Sequence, residues 1–315
     1  MSQGSVESIV SELNKPKKSS QKNARGEPRT DSYAFLKKIS LSSHFNLVVE
    51  GDSDYKFYKS WCMKNGIDVQ VTVIDKIRLR ELEHEELGRG SRRTQVISLS
   101  FKVSREPLQN RELLENKILC VADFDLGSDI EIFESECLAF TDFPSLESYT
   151  LTHFVMGNVF LGKNLCDLLD EIYQKLYILY RIRCYKSIKK EKQSFKNLRK
   201  AQRKISKEEI NEYQRQFTAV AGTDLREYCY GHDVSRLIIA DYGKFLQVEF
   251  DGPEALEEKL LDITLNDPDL HNLKLFRKIT EKSISFRPSG LSRKFDKGTL
   301  GIEDIINKAV SEGYS

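Results

Sequence analysis

Two apolar segments of this chain each end in a short acidic motif, and this pairing restricts the folds that the chain can adopt. Residues 45–49 (FNLVV) lead into residues 50–54 (EGDSD), and residues 118–122 (ILCVA) lead into residues 123–125 (DFD). Apolar, β-branched runs of this length are typical of strands. In open α/β sheets the carboxyl ends of the strands form one edge, and ligands bind there. The sequence therefore predicts an α/β fold with carboxylates at the ligand-binding edge of its sheet.

Strand and helix patterns alternate from Tyr33 to about Tyr149. The apolar residues of 55–62 fall on one helix face. Residues 96–103 alternate apolar and polar side chains, which predicts an additional strand. The other predicted elements are a strand at 69–74, a charged helix at 78–87, a helix that begins at Pro107 and a short strand at 138–141. Because helices separate the strands, we expect a mostly parallel sheet flanked by helices.

Composition and periodicity divide the chain into three regions. Residues 1–30 are rich in Ser, Lys, Gln and Asn, which predicts a flexible basic arm. Its lysines are either solvated or placed to contact phosphate. Residues 31–150 form the α/β domain. Residues 151–315 are expected to be largely helical, because apolar residues recur at helical spacing over 161–216 and predict one long helix or a helical hairpin.

The helical region contains a basic segment at about 181–207. Six of its side chains recur every three or four residues, which predicts a stripe on one face of a helix. They are Lys189, Lys192, Lys196, Arg199, Arg203 and Lys207. Such a stripe suits binding to a nucleic-acid backbone. A solvated face, or a face paired with an acidic partner, explains the pattern equally well.

The composition excludes several protein classes. The 49 basic and 48 acidic residues give a formal net charge of +1, so local charge matters more than the total. The 6 cysteines include no Cys-x-x-Cys pair, which is typical of reduced thiols rather than of a disulfide framework or a zinc site. No segment approaches about 20 consecutive apolar residues, and the N-terminus has no apolar signal-peptide core. We therefore expect a cytoplasmic protein without a membrane anchor.

The acidic motifs carry a family resemblance. Glu50, Gly51 and Asp54 match a Glu-Gly-x-x-Asp motif after a strand, and Asp123 and Asp125 match an Asp-x-Asp motif after a later strand. Over about residues 41–150 the chain resembles the Toprim domain, a metal-binding α/β module of topoisomerases, primases and a group of nucleases. The resemblance implies a Toprim-like catalytic domain that uses one or two Mg²⁺ ions.

The same resemblance implies roles for three residues. Asp123 and Asp125 would hold Mg²⁺, and Glu50 would act as a metal ligand and as the base that accepts a proton from the attacking water. From its position at the start of the following helix, Asp54 is expected to orient Glu50 or cap that helix, with direct metal contact as the alternative. If two ions are used, Asp129 or Glu147 would complete the second metal site. Glu147 is the choice between them, with an N-terminal helix cap as its alternative role.

Two further segments narrow the resemblance. Residues 141–149 (TDFPSLESY) and 231–233 (GHD) are similar to Toprim-like effectors of bacterial antiphage systems, including the effector subunit of the PARIS defence pair. Gly127 stands where topoisomerases carry a third aspartate, which argues against that branch. His232 would be a structural residue or would stabilise a transition-state phosphate. Asp233 is expected to cap the helix that follows.

This narrower resemblance implies a toxic effector of antiviral defence. It would be an endonuclease that cleaves RNA, such as tRNA, when a separate ABC-type ATPase partner releases it, and it would be a homodimer when active. The ATPase is expected to be separate because the chain has no Gly-x-x-x-x-Gly-Lys-Ser/Thr phosphate loop. Two other functions remain open: a DNA nuclease of the same fold, and a non-cleaving Toprim sensor module that binds a nucleotide or nucleic acid. The retention of all four acidic positions favours a nuclease.

Overall fold

A computed structural model of the chain describes residues 28–79, 91–124, 135–161, 164–188, 194–220 and 223–286. Most of the predicted helix at 78–87 and nearly all of the predicted N-terminal arm lie outside these ranges. The described strands are β1 (Thr30–Asp31), β2 (Phe45–Val49), β3 (Val69–Val73), β4 (Ile77–Arg78), β5 (Ile118–Ala122) and β6 (Leu138–Phe140). Strands β2, β3, β5 and β6 agree with the strands predicted at these positions.

The central sheet of the described residues is parallel, with the strand order β3-β2-β5-β6. Val48 of β2 lies opposite Thr72 of β3 and Cys120 of β5. After β2 the chain crosses to β3 on one side, and after β5 it continues to β6 on the other side. The carboxyl ends of β2 and β5 are therefore the topological switch point, where open α/β sheets bind ligands.

Helices cover both faces of the sheet. The helices of the described residues are α1 (Ser32–Leu41), α2 (Asp52–Lys64), α3 (Arg92–Ser104), α4 (Leu108–Glu115), α5 (His153–Gly157), α6 (Leu165–Ile188), α7 (Phe195–Gln202), α8 (Lys207–Ala219), α9 (His232–Leu237), α10 (Pro253–Thr264) and α11 (Lys274–Ser285). Helices α1, α3 and α4 share one apolar core with one face of the sheet. Helices α2 and α11 share a second core with the other face. The predicted fold class, a parallel sheet flanked by helices with a largely helical C-terminal region, is confirmed.

The strand predicted at 96–103 is wrong, because this segment lies in helix α3. Ser91 caps the start of this helix, because its hydroxyl accepts a hydrogen bond from the backbone N–H of Thr94. Helix α3 is enclosed between β5 and α4, so the small side chains of Ser98 and Ser100 are buried together with their apolar neighbours. The alternation of apolar and polar residues therefore does not separate a buried face from an exposed one.

Where the structure describes it, the segment 161–216 is mainly helical as predicted, and it is not a single helix. It contains α6, α7 and most of α8, and α6 packs against both of the others. Ser206 ends the connection between α7 and α8, because its hydroxyl accepts a hydrogen bond from the backbone N–H of Glu209 and caps α8. None of the described helices is long and apolar enough to cross a membrane.

Helix α11 returns from the C-terminal region to the sheet. The ring centroid of Phe276 lies 4.9 Å from that of Trp61, 5.4 Å from that of Tyr149 and 6.1 Å from that of Tyr58. All four side chains are almost completely buried, and burial of aromatic side chains is a major source of stability in protein cores. The last described helix is thus part of the same core as β2 and α2.

Candidate active site

Glu50 and Asp123 meet at the carboxyl ends of β2 and β5. The Oε1 atom of Glu50 accepts a hydrogen bond of 2.8 Å from the backbone N–H of Asp123. Both residues are half-buried. The adjacent, parallel pairing of the two strands produces this contact, because it brings the residues after each strand to the same edge. Asp125, the second aspartate of the Asp-x-Asp motif, lies outside the described residues.

Asp54 lies in the first turn of α2. Its Oδ2 atom accepts a hydrogen bond of 2.8 Å from the backbone N–H of Gly51, so it caps the start of the helix as expected. Burial raises the pKa of Asp54 to about 6, and the negative charge of Glu147 adds to this increase. The hydrogen bond from Gly51 and the positive charges of His232 and Arg92 oppose it. The carboxyl group of Asp54 therefore lies within the electrostatic influence of residues from three other segments.

Glu147 lies in a 3₁₀ turn (Leu146–Thr150) after β6 and is buried. It does not cap the turn, and its Oε1 atom is 3.4 Å from the Nδ1 atom of His232 at the start of α9. The same Nδ1 atom is 4.0 Å from the Oε2 atom of Glu257 in α10. One ligand atom from each of these three residues lies within 4.8 Å of the others. This group contains the donor types that bind divalent metal ions.

His232 carries the positive charge of this group. The nearby carboxylates of Glu257 and Glu147 raise the pKa of His232 to about 9, although burial opposes this effect. The imidazole is therefore protonated at neutral pH. About half of its side chain (53%) remains exposed, so a ligand approaching the edge of the sheet has access to it.

The start of α9 is held by a buried ion pair. Asp233 was expected to cap this helix, and that prediction is wrong, because Gly231 occupies the cap position. Both carboxylate oxygens of Asp233 instead accept hydrogen bonds, of 2.7 and 2.8 Å, from the Nη2 atom of Arg183 in α6. The guanidinium of Arg183 also lies 4.1 Å from the ring centroid of Tyr230. These contacts fix the backbone on both sides of His232.

Gly231 passes so close to Glu147 that no side chain fits between them. A Cβ atom at Gly231 would lie 2.6 Å from the Oε2 atom and 2.7 Å from the Cβ atom of Glu147, and it would also overlap the hydroxyl of Ser145. The backbone N–H of Gly231 donates a 3.1 Å hydrogen bond to that hydroxyl. Glycine is therefore required here by close approach, since its backbone conformation is helical and accessible to any residue.

A buried hydroxyl group lies beneath the acidic edge. The hydroxyl of Tyr58 has no hydrogen-bond partner among the described residues, although the side chain is almost fully buried. Burial raises the pKa of Tyr58 well above its usual value, and the charges of Asp54, Asp123 and Asp142 contribute to this increase. An unpaired buried hydroxyl is costly, so this position suits a water molecule or a ligand oxygen.

Two arginines at the start of α3 are site residues that the sequence did not predict. The Nε atom of Arg93 donates a 2.9 Å hydrogen bond to the backbone carbonyl of Asp123. Arg92 donates hydrogen bonds of 2.6 and 2.9 Å to Asp75 and is close enough to Asp54 to lower its pKa. The sequence signal was Ser91, a helix cap directly before them, but the alternation at 96–103 obscured the helix.

The structure divides the predicted basic stripe. Lys189 and Lys192 lie outside the described residues. Lys196 and Arg199 are in α7, Arg203 lies at its C-terminal end, and Lys207 begins α8. The prediction of a stripe on one face of a single helix is therefore wrong. The Nη2 atom of Arg199 donates a 2.9 Å hydrogen bond to Asp241, which also pairs with Lys175. Lys196, Arg203 and Lys207 are exposed, and nucleic-acid binding by them stays a prediction.

No protein-family model matches the chain, and no curated protein matches it. The Toprim resemblance therefore rests on the short acidic motifs and on where they lie in the fold. What the site does must follow from the geometry and chemistry of its residues.

Proposed function

We propose that this protein is a Toprim-type, Mg²⁺-dependent endonuclease that hydrolyses phosphodiester bonds. The observation that carries the proposal is the contact between Glu50 and Asp123 at the topological switch point of the parallel sheet. Asp54, four residues after Glu50, and Glu147, from a separate segment, add two carboxylates that lie close enough for their charges to interact. Carboxylates converging on the ligand-binding edge of such a sheet are typical donors for a hard divalent cation that also binds substrate phosphates.

The residues of this edge fit such an ion. Asp123, Asp125, Glu147 and Glu50 would supply the oxygen ligands for one or two Mg²⁺ ions. The unpaired hydroxyl of Tyr58 would gain a partner from an oxygen bound at this edge. Bound Mg²⁺ neutralises charge on a phosphodiester and lowers the pKa of a coordinated water molecule.

The residues of the chain would then divide the remaining tasks. Glu50, held in place by the backbone of Asp123, accepts the proton of the attacking water. Asp54 fixes the start of α2 and so the loop that follows Glu50. His232 is half-exposed and would donate a hydrogen bond to a phosphate oxygen as negative charge develops there.

The narrower sequence resemblance supports a proposal for the biological role of the protein. The protein would be a cytoplasmic effector of antiviral defence, a toxin that is held by a separate ABC-type ATPase and acts as a homodimer after release. Its substrate would be RNA, such as tRNA. DNA cleavage by the same residues is the alternative that the first experiment must separate.

The test uses the purified chain with total bacterial RNA and with plasmid DNA, in Mg²⁺ or in EDTA, and resolves the products on gels. The Glu50→Gln variant removes the proposed base. Glu258→Gln is the matched control, because Glu258 is an exposed carboxylate whose ion-pair partner among the described residues is the exposed Lys56. Cleavage that needs Mg²⁺, is lost with Glu50→Gln and persists with Glu258→Gln supports the proposal and names the substrate class. Equal cleavage by both variants contradicts it.

A chain that binds Mg²⁺ but cuts neither substrate requires the same assay with protein released from its ATPase partner. Continued absence of cleavage would favour the non-cleaving sensor module.

A further inference from the structure

A basic cleft lies beside the outer strand β3. The cleft has a volume of about 630 Å³ and lies between this strand and residues of α1 and α2. Within the central sheet of the described residues, β3 pairs with β2 only, so its other side borders the cleft. The residues used below are Lys38, His44, Tyr55, Lys59, Asp68 and Lys76, all of which line the cleft.

The charge of this cleft is unbalanced. Lys38, Lys59 and Lys76 are exposed, and no carboxylate of the described chain forms an ion pair with any of them. Asp68 also lines the cleft, but its Oδ2 atom is 3.0 Å from the Nδ1 atom of His44. Three ammonium groups thus face the cleft without a carboxylate partner in the described part of the chain, and this excess positive charge attracts an anionic ligand.

Two of these ammonium groups lie close to one aromatic ring. The Nζ atoms of Lys59 and Lys76 are 5.4 and 5.8 Å from the ring centroid of Tyr55. Lys59 also donates a 3.2 Å hydrogen bond to the hydroxyl of Tyr55. Cations beside a partly exposed aromatic ring provide both phosphate contacts and a stacking surface for a base.

Two residues of the cleft lie next to the candidate active site in the sequence or at the same end of the sheet. Tyr55 directly follows Asp54, and Lys76 lies three residues beyond the carboxyl end of β3. The ring and the two ammonium groups therefore lie near the same edge of the sheet as Glu50. A nucleic-acid chain that is cut at that edge would continue into this cleft.

We propose that this cleft binds a single-stranded segment of the nucleic-acid substrate next to the bond that is cut. Lys59 and Lys76 contact its phosphates, and an unpaired base stacks on Tyr55. The proposal rests on the proposed function for the class of substrate. Single strands are favoured over duplexes because only an unpaired base presents its face to an aromatic ring. An acidic protein would use the lysines but would leave the ring without a role.

Binding is measured by the fluorescence anisotropy of a labelled single-stranded RNA of about 20 nucleotides, in EDTA so that no cleavage occurs. The full-length chain is compared with Lys59→Glu/Lys76→Glu. The charge-matched control is Lys37→Glu/Lys244→Glu, because both of these lysines are exposed and lie outside the cleft. Thermal melting checks that each variant is folded.

We expect the cleft variant to bind at least about tenfold more weakly than the control, and the slope of log K against log salt to become shallower by about 1.4, which corresponds to two phosphate contacts. Tyr55→Phe should keep wild-type affinity, whereas Tyr55→Leu should lower it several-fold. Duplex RNA of the same sequence should bind more weakly than the single strand.

Three outcomes would overturn the proposal: no binding by the wild-type chain at low salt, equal affinity and salt slope in the two double variants, or a change of oligomeric state in the cleft variant with unchanged affinity. The last result would make the cleft an interface between copies of the chain. Failure of the proposed function is separate. If the cleft variant loses binding and no form of the protein cleaves nucleic acid, the proposed role of the cleft stands and the proposed nuclease activity is rejected. If the cleft variant binds and cleaves as well as the wild type, the nuclease activity stands and the role of the cleft is rejected.

Discussion

The carboxylate of Glu50 accepts a 2.8 Å hydrogen bond from the backbone N–H of Asp123, which lies 73 positions later in the chain. This contact links the ends of the two central strands and fixes one carboxylate oxygen of Glu50. The proposed base of the reaction is therefore also a structural residue, and substitutions at this position must separate the two roles.

Replacement of Glu50 by glutamine should separate them. The amide oxygen of Gln still accepts the hydrogen bond from Asp123, so thermal stability should stay close to wild type, whereas loss of the base should reduce the cleavage rate by about 10²- to 10⁴-fold. Glu50→Ala should lose cleavage and also about 1 kcal/mol of stability, because the hydrogen bond disappears. Urea unfolding and cleavage rates measured on the same preparations check both effects. Normal turnover by Glu50→Gln would remove Glu50 from the mechanism.

Added divalent cation should stabilise the folded chain. An ion that binds only the folded state at ten times its dissociation constant contributes about 1.4 kcal/mol. Melting temperatures in MgCl₂ or CaCl₂ are compared with those in NaCl of equal ionic strength. Asp123→Asn should abolish the increase, and Glu147→Gln should reduce it, whereas Glu258→Gln should retain it. An increase that is the same in all four proteins would place the ion elsewhere.

The stability of the metal-free protein should fall as the pH rises from about 6.5 to about 9. The pKa of His232 is about 9 in the folded state, because of Glu257 and Glu147, and 6.5 is its ordinary value. In this range the folded state binds more protons than the unfolded state, so the free energy of unfolding decreases with pH. His232→Gln should flatten this dependence, and Glu257→Gln should weaken it. Unfolding curves across the range in EDTA test this prediction, and an unchanged slope in His232→Gln would contradict it.

Gly231→Ala should destabilise the protein by about 1–3 kcal/mol, because the added Cβ atom has to displace Glu147. Gly243→Ala is the matched control. Its backbone is also helical, and a Cβ atom there would meet no atom within 4 Å, so this variant should be neutral or slightly more stable. Chemical unfolding of both variants provides the comparison. Equal stability of the two variants would mean that the residues around Glu147 move to accommodate the added Cβ atom at little cost in free energy.

The local sequence was sufficient to predict the sheet and its acidic edge. Residues 45–49 and 118–122 are uninterrupted apolar runs, and strands of this kind are specified by their own residues. Glu50 and Asp123 follow them directly, so the parallel arrangement alone brings them together. Helix α3 could not be predicted in the same way, because buried serines hide its helical period.

Long-range packing determines the other half of the site. Glu147, His232 and Glu257 come from three segments, and none of them stands in a motif that specifies the other two. They converge because α9 and α10 pack over the turn at 146–150. The next helix, α11, packs against the sheet through the aromatic contacts of its residue Phe276. The sequence therefore suggested Glu147 and His232 only separately, and gave no sign of Glu257.

The buried pair of Arg183 and Asp233 should be the most sensitive ion pair near the site. Both side chains are more than nine-tenths buried, so Arg183→Met leaves a buried carboxylate without its partner and should cost about 3–5 kcal/mol. Arg183→Met/Asp233→Leu removes both charges and should recover much of this loss. Lys56→Met breaks an exposed pair and should cost at most about 1 kcal/mol. Urea unfolding of the three variants measures the differences. A double variant no more stable than Arg183→Met would show that the pair is needed for its geometry rather than for charge balance.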